Sequence, residues 1–374
     1  MNWAYTEEQE EVRNLARKIL EDLATHDRLV TVEASDEGVD RELYTALGRA
    51  NLLGVGIEEA YGGSEMGLFG AGIVLVEIGR AVAPVPVAPT LVLGALPISR
   101  FGTDAQKQRF LPGVASGEIM LTAALIEAGS EDPTQPQTTA TRDGDNWRLD
   151  GVKSCVPAAH VADRIVVPAR ISPDRIGVFL LDRHAKGVER VAQRTTNREA
   201  QFQLTLSGAV VANDDMLGDA DTGAEIIQWI TDRATIAVCL VQLGVSERAL
   251  EMTAAYTRSR EQFDRPVGSF QAVHMRAGDA YIDVEAMRLT TLEATWRLGE
   301  ELPEDGSVAV AKYWCADGGQ RVGYATQHLH GGIGIDVDYP LHRYYLWAKQ
   351  AELTLGSAAV QLTKIGETLA DAGT

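Results

Sequence analysis

The residues best suited to bind a ligand gather in one stretch, YTRSREQFDRPVGSFQAVH, at residues 256–274. Its arginines and phenylalanines, followed by a glutamine, are Arg258, Arg260, Phe263, Arg265, Phe270 and Gln271. Guanidinium groups can hold a pyrophosphate bidentately, and aromatic faces can flank a planar ring system. The stretch therefore predicts a site for a phosphate-bearing ring compound. A solvated basic turn between two helices is the alternative interpretation.

A second stretch, HLHGGIGIDVDYPLHRYY at residues 328–345, is rich in glycine. Gly331 and Gly332 let the backbone come close to a ligand, and amide groups there could cap phosphate oxygens. The same glycine pair is also common at the end of a helix. His328 and His330 lack further ligands at metal-binding spacing, so we predict no metal site.

Three segments must position these residues. Residues 1–118 are predicted to be helical, because Val12, Leu15, Ile19 and Leu23 recur at helical spacing. Residues 119–217 change to short runs rich in Val, Ile and Phe between turn signals, which predicts a small antiparallel barrel or sandwich. Residues 218–374 return to long helices, and the first of these is apolar enough for the core of a four-helix bundle. The predicted fold class is α+β.

Composition limits the classes of function. The net charge of −19 argues against nucleic acid or an anionic membrane as partner, although a local arginine cluster can still bind an anionic small molecule. Three cysteines without a CxxC pair argue against a disulfide framework or a zinc site. The sequence shows no export signal and no run of about 18 apolar residues, so we expect a cytoplasmic protein.

In this order, the motifs resemble the acyl-CoA dehydrogenase family over essentially the whole chain. The matching pieces are AYGGSEMG with VEIGRAVAP, FGTDAQKQRFLPGVASGE, RDGDNWRLDGVK, YTRSREQFDRPVGSFQ and HGGIGIDVDYPLHR. The resemblance implies an N-terminal helical domain, a middle β-domain and a C-terminal four-helix domain, with FAD and an acyl-CoA thioester as ligands. It also implies that a base removes an α-proton while the β-hydrogen passes to the flavin.

The family's base is missing from this sequence. The usual glutamate stands before a Gly-Ser/Thr pair, and Leu355 occupies that position here. A minority of members use a glutamate on the first long C-terminal helix, where this chain has Ala234. We therefore predict no catalytic residue in this chain, with a base relocated to Glu352 or Asp232 as the alternative.

Residues that the family uses around its own flavin have also changed. LIEAGSEDPTQ at 125–135 stands where the family has a Thr-Glu-Pro-Gly-like loop, and Glu131 within it lies outside the described residues. Cys155 replaces an aromatic wall, and Pro157 removes an amide and a hydroxyl. Leu346 and Trp347 replace an Arg-Asp pair. All these changes fall on one pocket.

The resemblance implies a different role for the residues that are kept. In the family, residues at these positions reach across a dimer interface to the FAD of the neighbouring subunit. They are Arg260, Phe263, Gln271, Gly331 and Gly332, with His328 where the family often has glutamine. The pattern resembles the non-catalytic subunit of the α2β2 heterotetrameric acyl-CoA dehydrogenases of bacterial steroid side-chain degradation. The implied partners are a second subunit with the catalytic glutamate, a bulky acyl-CoA and an electron-transferring flavoprotein.

Two other functions remain open from the sequence. One is a self-sufficient homotetrameric dehydrogenase with a relocated base. The other is a non-enzymatic structural or CoA-binding member of the family.

Overall fold

The computed structural model describes residues 5–130, 132–303 and 305–372. Its first part is helical, with a π-helical segment at Pro89–Ala95 before the fifth α-helix. The helices are α1 (Glu7–Leu23), α2 (His26–Glu33), α3 (Arg41–Arg49), α4 (Gly67–Ala81), α5 (Leu96–Phe101) and α6 (Asp104–Ser116).

Local sequence explains where these helices begin. Thr6 caps α1 by accepting from the backbone of Gln9, whose side chain in turn accepts from the Thr6 amide. Thr103 and Gln106 form the same reciprocal pair at the start of α6. Each pair satisfies backbone donors that a helix start otherwise leaves unpaired.

The middle part is an eight-stranded sheet in the order β6-β7-β3-β2-β4-β5-β8, with β1 beside β4. Its strands are β1 (Leu121–Ala123), β2 (Thr139–Asp143), β3 (Asn146–Pro157), β4 (Arg164–Ser172), β5 (Arg175–Asp182), β6 (Val188–Arg194), β7 (Ala200–Ala212) and β8 (Met216–Leu217). In β3, Trp147 and Leu149 alternate with exposed residues, which buries one face of the strand.

The α+β fold class is confirmed, but the antiparallel prediction for the sheet needs correction. β1 runs parallel to β4, and β2 also pairs with β4 in parallel, so the sheet is mixed. Apolar alternation shows which face of a strand is buried, but it carries no information about the direction of the neighbouring strand.

Long helices form the last part of the chain. They are α7 (Gly223–Ser259), α8 (Gln271–Gly299), α9 (Ser307–His330), α10 (Leu341–Leu353) and α11 (Ala358–Ala372). α7 to α10 pack against one another, and a short hairpin of β9 (Glu261–Gln262) and β10 (Arg265–Pro266) lies between α7 and α8. One hydrophobic core joins this bundle to the N-terminal helices, and a second core lies within the sheet region.

Glycine allows α7 to cross α4 at close range. A Cβ on Gly79 would lie 2.1 Å from the Val241 carbonyl oxygen, and one on Gly244 would lie 1.9 Å from that of Val76. Both distances are far below van der Waals contact, so side chains here would force the helices apart. This crossing places the middle of α7 against the N-terminal helices.

α7 is long and apolar enough, by length and composition, to cross a membrane. Its most apolar window is 72% buried inside the fold, which is the property of a core helix. Ile226, Ile230 and Ala234, spaced four residues apart on one face of α7, are all buried. The domain boundaries at 118/119 and 217/218 stay a prediction.

Candidate functional site

The predicted ligand-binding stretch forms an outward-facing arm, defined here as residues 260–271. Arg260 ends α7 and is exposed, and its carbonyl accepts a hydrogen bond from the Val267 amide at 2.7 Å. Phe263 is 87% exposed, with its ring edge-on to Phe270 at a centroid distance of 6.2 Å. Gln271 is exposed at the first position of α8. The arm therefore presents its polar and aromatic groups to the outside of this subunit.

The second motif forms what we call the glycine loop, a 3-10 turn at Gly331–Ile335 that directly follows α9. Gly331 has a φ of +65°, a conformation that favours glycine, while an added Cβ there would meet open space. Gly332 and His328 are exposed beside it. The structure thus places all six predicted cofactor-binding residues on the surface.

An aromatic stack connects the glycine loop with the arm. The ring of His330, immediately before the loop, stacks on Tyr256 at 4.5 Å, and Tyr256 lies one helical turn before Arg260. His330 also lies within hydrogen-bond range of the Tyr339 hydroxyl, at 3.2 Å. Burial lowers the pKa of His330, so its ring is neutral near pH 7 and acts as a packing group. His330 is therefore a packing residue that connects the glycine loop with α7.

A half-open cavity of about 190 Å³ lies inside the molecule, where α7, α10 and the sheet meet. Both predicted base positions line it: Ala234 comes from α7, and Leu355 from the turn between α10 and α11. Leu355 has a φ of +57°, and its carbonyl accepts a hydrogen bond from Gln361 Nε2 at 3.1 Å. The two predicted base positions thus converge on one cavity, and both side chains are hydrocarbon.

A buried lysine holds the end of α10 that precedes Leu355. Lys312 Nζ donates to the carbonyls of Ala351 at 2.9 Å and Glu352 at 3.1 Å. These carbonyls belong to the last turn of a helix, where a cation is favoured. Lys312 therefore fixes the backbone around position 355.

The carboxylates considered as relocated bases are engaged elsewhere. Glu352 accepts hydrogen bonds from Lys349 Nζ at 2.5 Å and from Gln320 Nε2 at 3.2 Å. Asp232 accepts from Gln228 Nε2 at 2.8 Å on the exposed side of α7. Among the described residues, neither carboxylate lines the cavity. Both are a poor match for a base acting on a ligand there.

Backbone donors next to Cys155 are already paired within the chain. The Cys155 amide donates to Gln193 Oε1 at 2.7 Å, and the Ser154 amide donates to the Ile126 carbonyl at 2.8 Å. Cys155 itself has a φ of +51°, which few residues other than glycine adopt. Pro157 supplies no amide donor. The Cys155 and Ser154 amides are therefore already paired before any ligand enters.

The loop after Ile126 is anchored by a buried ion pair. Lys153, fully buried, donates to Glu127 at 2.6 Å and to the Pro168 carbonyl at 2.9 Å. Burial opposes ionisation of Glu127, but the Lys153 ammonium and hydrogen bonds from Thr138 lower the pKa of this carboxyl overall. The loop is therefore held by this chain alone.

Two polar residues that line the cavity are not predicted from the sequence. Glu199, just before β7, and Gln201, near its start, line the cavity, and the Gln201 Oε1 atom is buried without a hydrogen-bond partner among the described residues. Burial raises the pKa of Glu199 to about 7, although Asn197 donates a hydrogen bond to it. In QFQLTL, residues 201–206, the apolar side chains of Phe202, Leu204 and Leu206 lie on the opposite face of the strand from Gln201. The alternation alone therefore predicts that Gln201 is exposed to solvent.

Comparison with known proteins identifies the class. Residues 6–118 match the model of the acyl-CoA dehydrogenase N-terminal domain, and residues 221–370 match that of the C-terminal domain. The chain is 38% identical to the acyl-CoA dehydrogenase FadE27 of Mycobacterium tuberculosis, over 99% of both chains. The chain belongs to the acyl-CoA dehydrogenase family.

Several solved structures are similar to this chain over nearly its whole length. A variant of the Tcur3481-Tcur3483 steroid ACAD superposes with a TM-score of 0.92 at 44% identity, covering 98% of this chain and 99% of the other. A chain of the ChsE4-ChsE5 complex from Mycobacterium tuberculosis superposes with a TM-score of 0.93 at 38% identity, covering 99% of both. Butyryl-CoA dehydrogenase from Megasphaera elsdenii is more distant, with a TM-score of 0.90 at 27% identity over 99% of this chain and 100% of the other.

Members of this family use FAD. The cavity of this chain fits that group poorly, because the Cys155 and Ser154 amides are bonded internally and position 157 is proline. The arm fits it better, because it offers an exposed guanidinium and an exposed aromatic ring. The two regions of the chain therefore differ in their suitability for a flavin.

Proposed function

We propose that this chain is one subunit of a heteromeric FAD-dependent acyl-CoA dehydrogenase, in which it completes the flavin site of a partner that carries the catalytic glutamate. The observation that carries the proposal is the contrast between two sites. Hydrocarbon side chains fill both predicted base positions, Leu355 and Ala234, while the predicted cofactor-binding residues face outward. A base must reach the α-carbon of the substrate, and these two side chains cannot accept a proton.

In the proposed complex, each retained residue has a defined task toward the partner's flavin. Arg260 binds its pyrophosphate, Phe263 packs against it and Gln271 donates a hydrogen bond. The glycine loop, with Gly331 and Gly332, offers backbone amides. The bound flavin supplies the acceptor for the β-hydrogen of the substrate. This chain contributes binding and orientation, and the partner contributes the base.

The surface around the arm supports association with another subunit. Large apolar side chains are exposed on α8, at the end of the glycine loop and just after it: Met275, Tyr281, Ile282, Ile335 and Val337. Exposed apolar side chains at this density are typical of a protein–protein interface. Two of the structural relatives are named as pairs of different proteins, ChsE4-ChsE5 and Tcur3481-Tcur3483.

The substrate class is proposed from the same relatives. One is named a steroid ACAD, so a CoA thioester of a bulky carboxylate, such as a steroid side chain, is the substrate we assign to the complex. An electron-transferring flavoprotein is the proposed electron acceptor. We place the complex in the cytoplasm.

Co-expression with a family member that has a glutamate at its base position tests the proposal. We expect the chain alone to purify without FAD and without dehydrogenase activity, and the pair to form a yellow, active α2β2 complex. Native mass and flavin absorbance give the subunit and FAD stoichiometry. Full activity with one FAD per chain in the lone protein would contradict the proposal and favour a self-sufficient enzyme. Full activity of the pair after Arg260→Ala would favour a structural role.

A further inference from the structure

The cavity has a polar end that the proposed function leaves unused. Gln201 Oε1 is a buried acceptor without a partner, and Glu199 lies two residues away on the same wall. An unsatisfied buried acceptor costs free energy that a bound donor would recover. Such an atom inside a cavity points to a ligand with a hydrogen-bond donor.

The rest of the cavity wall is uncharged and mostly apolar. α7 contributes Ala234 and Ala237, and α10 contributes Trp347 and Gln350. Among the described lining residues, Glu199 is the one charged group and Cys155 the other titratable one. An apolar cavity of 150 Å³ holds benzene, and this cavity of about 190 Å³ is larger and half-open, so it admits an apolar ring compound larger than benzene.

A hydrogen bond fixes this polar end relative to α10. The Thr196 amide donates to Gln350 Oε1 at 3.2 Å, which joins the loop before β7 to the helix on the opposite wall. Asn197 donates to Glu199 from within the same loop. The polar groups are therefore held in place before any ligand enters, which reduces the entropic cost of binding.

We propose that this cavity is a flavin-free binding site for an apolar alcohol, whose hydroxyl donates to Gln201 Oε1 and lies against the carboxyl group of Glu199. The inference rests on the proposed function in one respect, namely that no flavin enters this cavity. A hydroxyl is the group that matches one acceptor and one donor at the same end of an apolar space. An alkane of the same shape leaves Gln201 unsatisfied.

The test uses two probes of equal shape, 2-decalol and decalin, with the purified full-length chain. Trp347 lines the cavity, so its fluorescence reports occupancy, and calorimetry gives the dissociation constants. We expect 2-decalol to bind about tenfold tighter than decalin, the effect of one net hydrogen bond. The affinity for 2-decalol should fall as pH rises through about 7. Glu199 then loses the proton that it could donate to the hydroxyl, and burying its carboxylate under the ligand costs free energy.

Two variants separate the polar end from the fold. Gln201→Leu should remove the preference for 2-decalol over decalin, and Glu199→Gln should remove the pH dependence while keeping the preference. Ala234→Phe, which fills the cavity, should weaken both probes. Circular dichroism verifies that each variant is folded, and Glu199→Gln still tests the inference if Gln201→Leu does not fold.

Equal affinity for both probes, or no binding of 2-decalol by the folded, flavin-free chain, would overturn the inference. The FAD content of the same sample is measured separately. Stoichiometric FAD in the lone chain would overturn the proposed function whatever the probes do, so the two failures are distinguishable.

Discussion

The arm and the cavity of this chain belong to one fold but differ in what they present. The arm exposes an arginine, a phenylalanine and a glutamine that its own subunit leaves largely uncontacted. The cavity holds Leu355 and Ala234 where chemistry would need a carboxylate, and its nearby amides are bonded internally. Under the proposed function, the difference separates two roles that a self-sufficient enzyme would combine in each subunit.

Exposure itself argues that the arm acts on something outside this chain. A phenylalanine that is 87% exposed contributes little to the stability of its own subunit, since it removes little apolar surface from water. The cavity side differs, because its polar groups are paired within the chain. Lys153 pairs with Glu127, and Gln193 accepts a hydrogen bond from the Cys155 amide, so neither pair needs a ligand. Four substitutions test this contrast.

The largest expected effect is on the stability of the cavity side. Lys153→Met leaves the Glu127 carboxylate buried without its cation, and we expect a loss of about 3–5 kcal/mol in the free energy of unfolding. Urea denaturation of the lone chain measures it. The exposed Lys186→Met is the control and should change stability by less than about 0.5 kcal/mol. Similar effects of both variants would mean that the loop does not depend on this pair.

The next effect is on the arm. Arg260→Ala should weaken FAD binding in the two-subunit complex by about 10–100-fold, because a charge-assisted hydrogen bond to phosphate contributes about 1.5–3 kcal/mol. Flavin release on dilution measures the affinity. Arg148→Ala removes another exposed arginine, paired with Asp143 on the sheet, and should leave the affinity unchanged. An equal loss of FAD affinity in both variants would mean that binding depends on the overall charge of the chain and not on Arg260.

A smaller effect is expected from the exposed aromatic ring. Phe263→Ala should leave the stability of the lone chain within about 0.5 kcal/mol. The same change should weaken the complex or its flavin affinity by about 1–2 kcal/mol, as for a buried aromatic at an interface. Thermal unfolding and subunit titration give the two values. Leu369→Ala, an exposed apolar residue on α11, should change neither. A large loss of stability in the lone chain would place Phe263 in the fold of this subunit.

The smallest expected effect is on the chemistry of the cavity. Leu355→Glu restores a carboxylate at the predicted base position but adds no group that binds a flavin, so the lone chain should remain inactive. A dehydrogenase assay with added FAD measures it, and Leu355→Gln, which has the same shape without the base, is the control. Substantial activity from the glutamate variant alone would show that the region around Cys155 and Pro157 still accepts a flavin.

Prediction from the sequence succeeded where the signal is local. The helical N-terminal and C-terminal parts followed from apolar spacing, and the capping pairs at Thr6 and Thr103 depend on residues three positions apart.

Prediction failed where the outcome depends on distant neighbours. Alternation in β7 marks Leu204 and Leu206 as buried, but it cannot show that the opposite face of the same strand meets a cavity at Gln201. The parallel pairing of β1 with β4 was likewise invisible, because strand direction depends on the path of the connections between them. Glu199 gave no signal, because a carboxyl in a loop is ordinarily exposed.

The sequence by itself determined the order of helices, strands and helices, and the absence of an acid at positions 234 and 355. Only the tertiary structure decided that these two positions meet at one cavity, beside an unpaired Gln201 and the carboxyl of Glu199. Side-chain identity and local periodicity are properties of short segments. Burial, pairing and convergence depend on packing between segments that are far apart in the chain, such as α7 against α10 and β7.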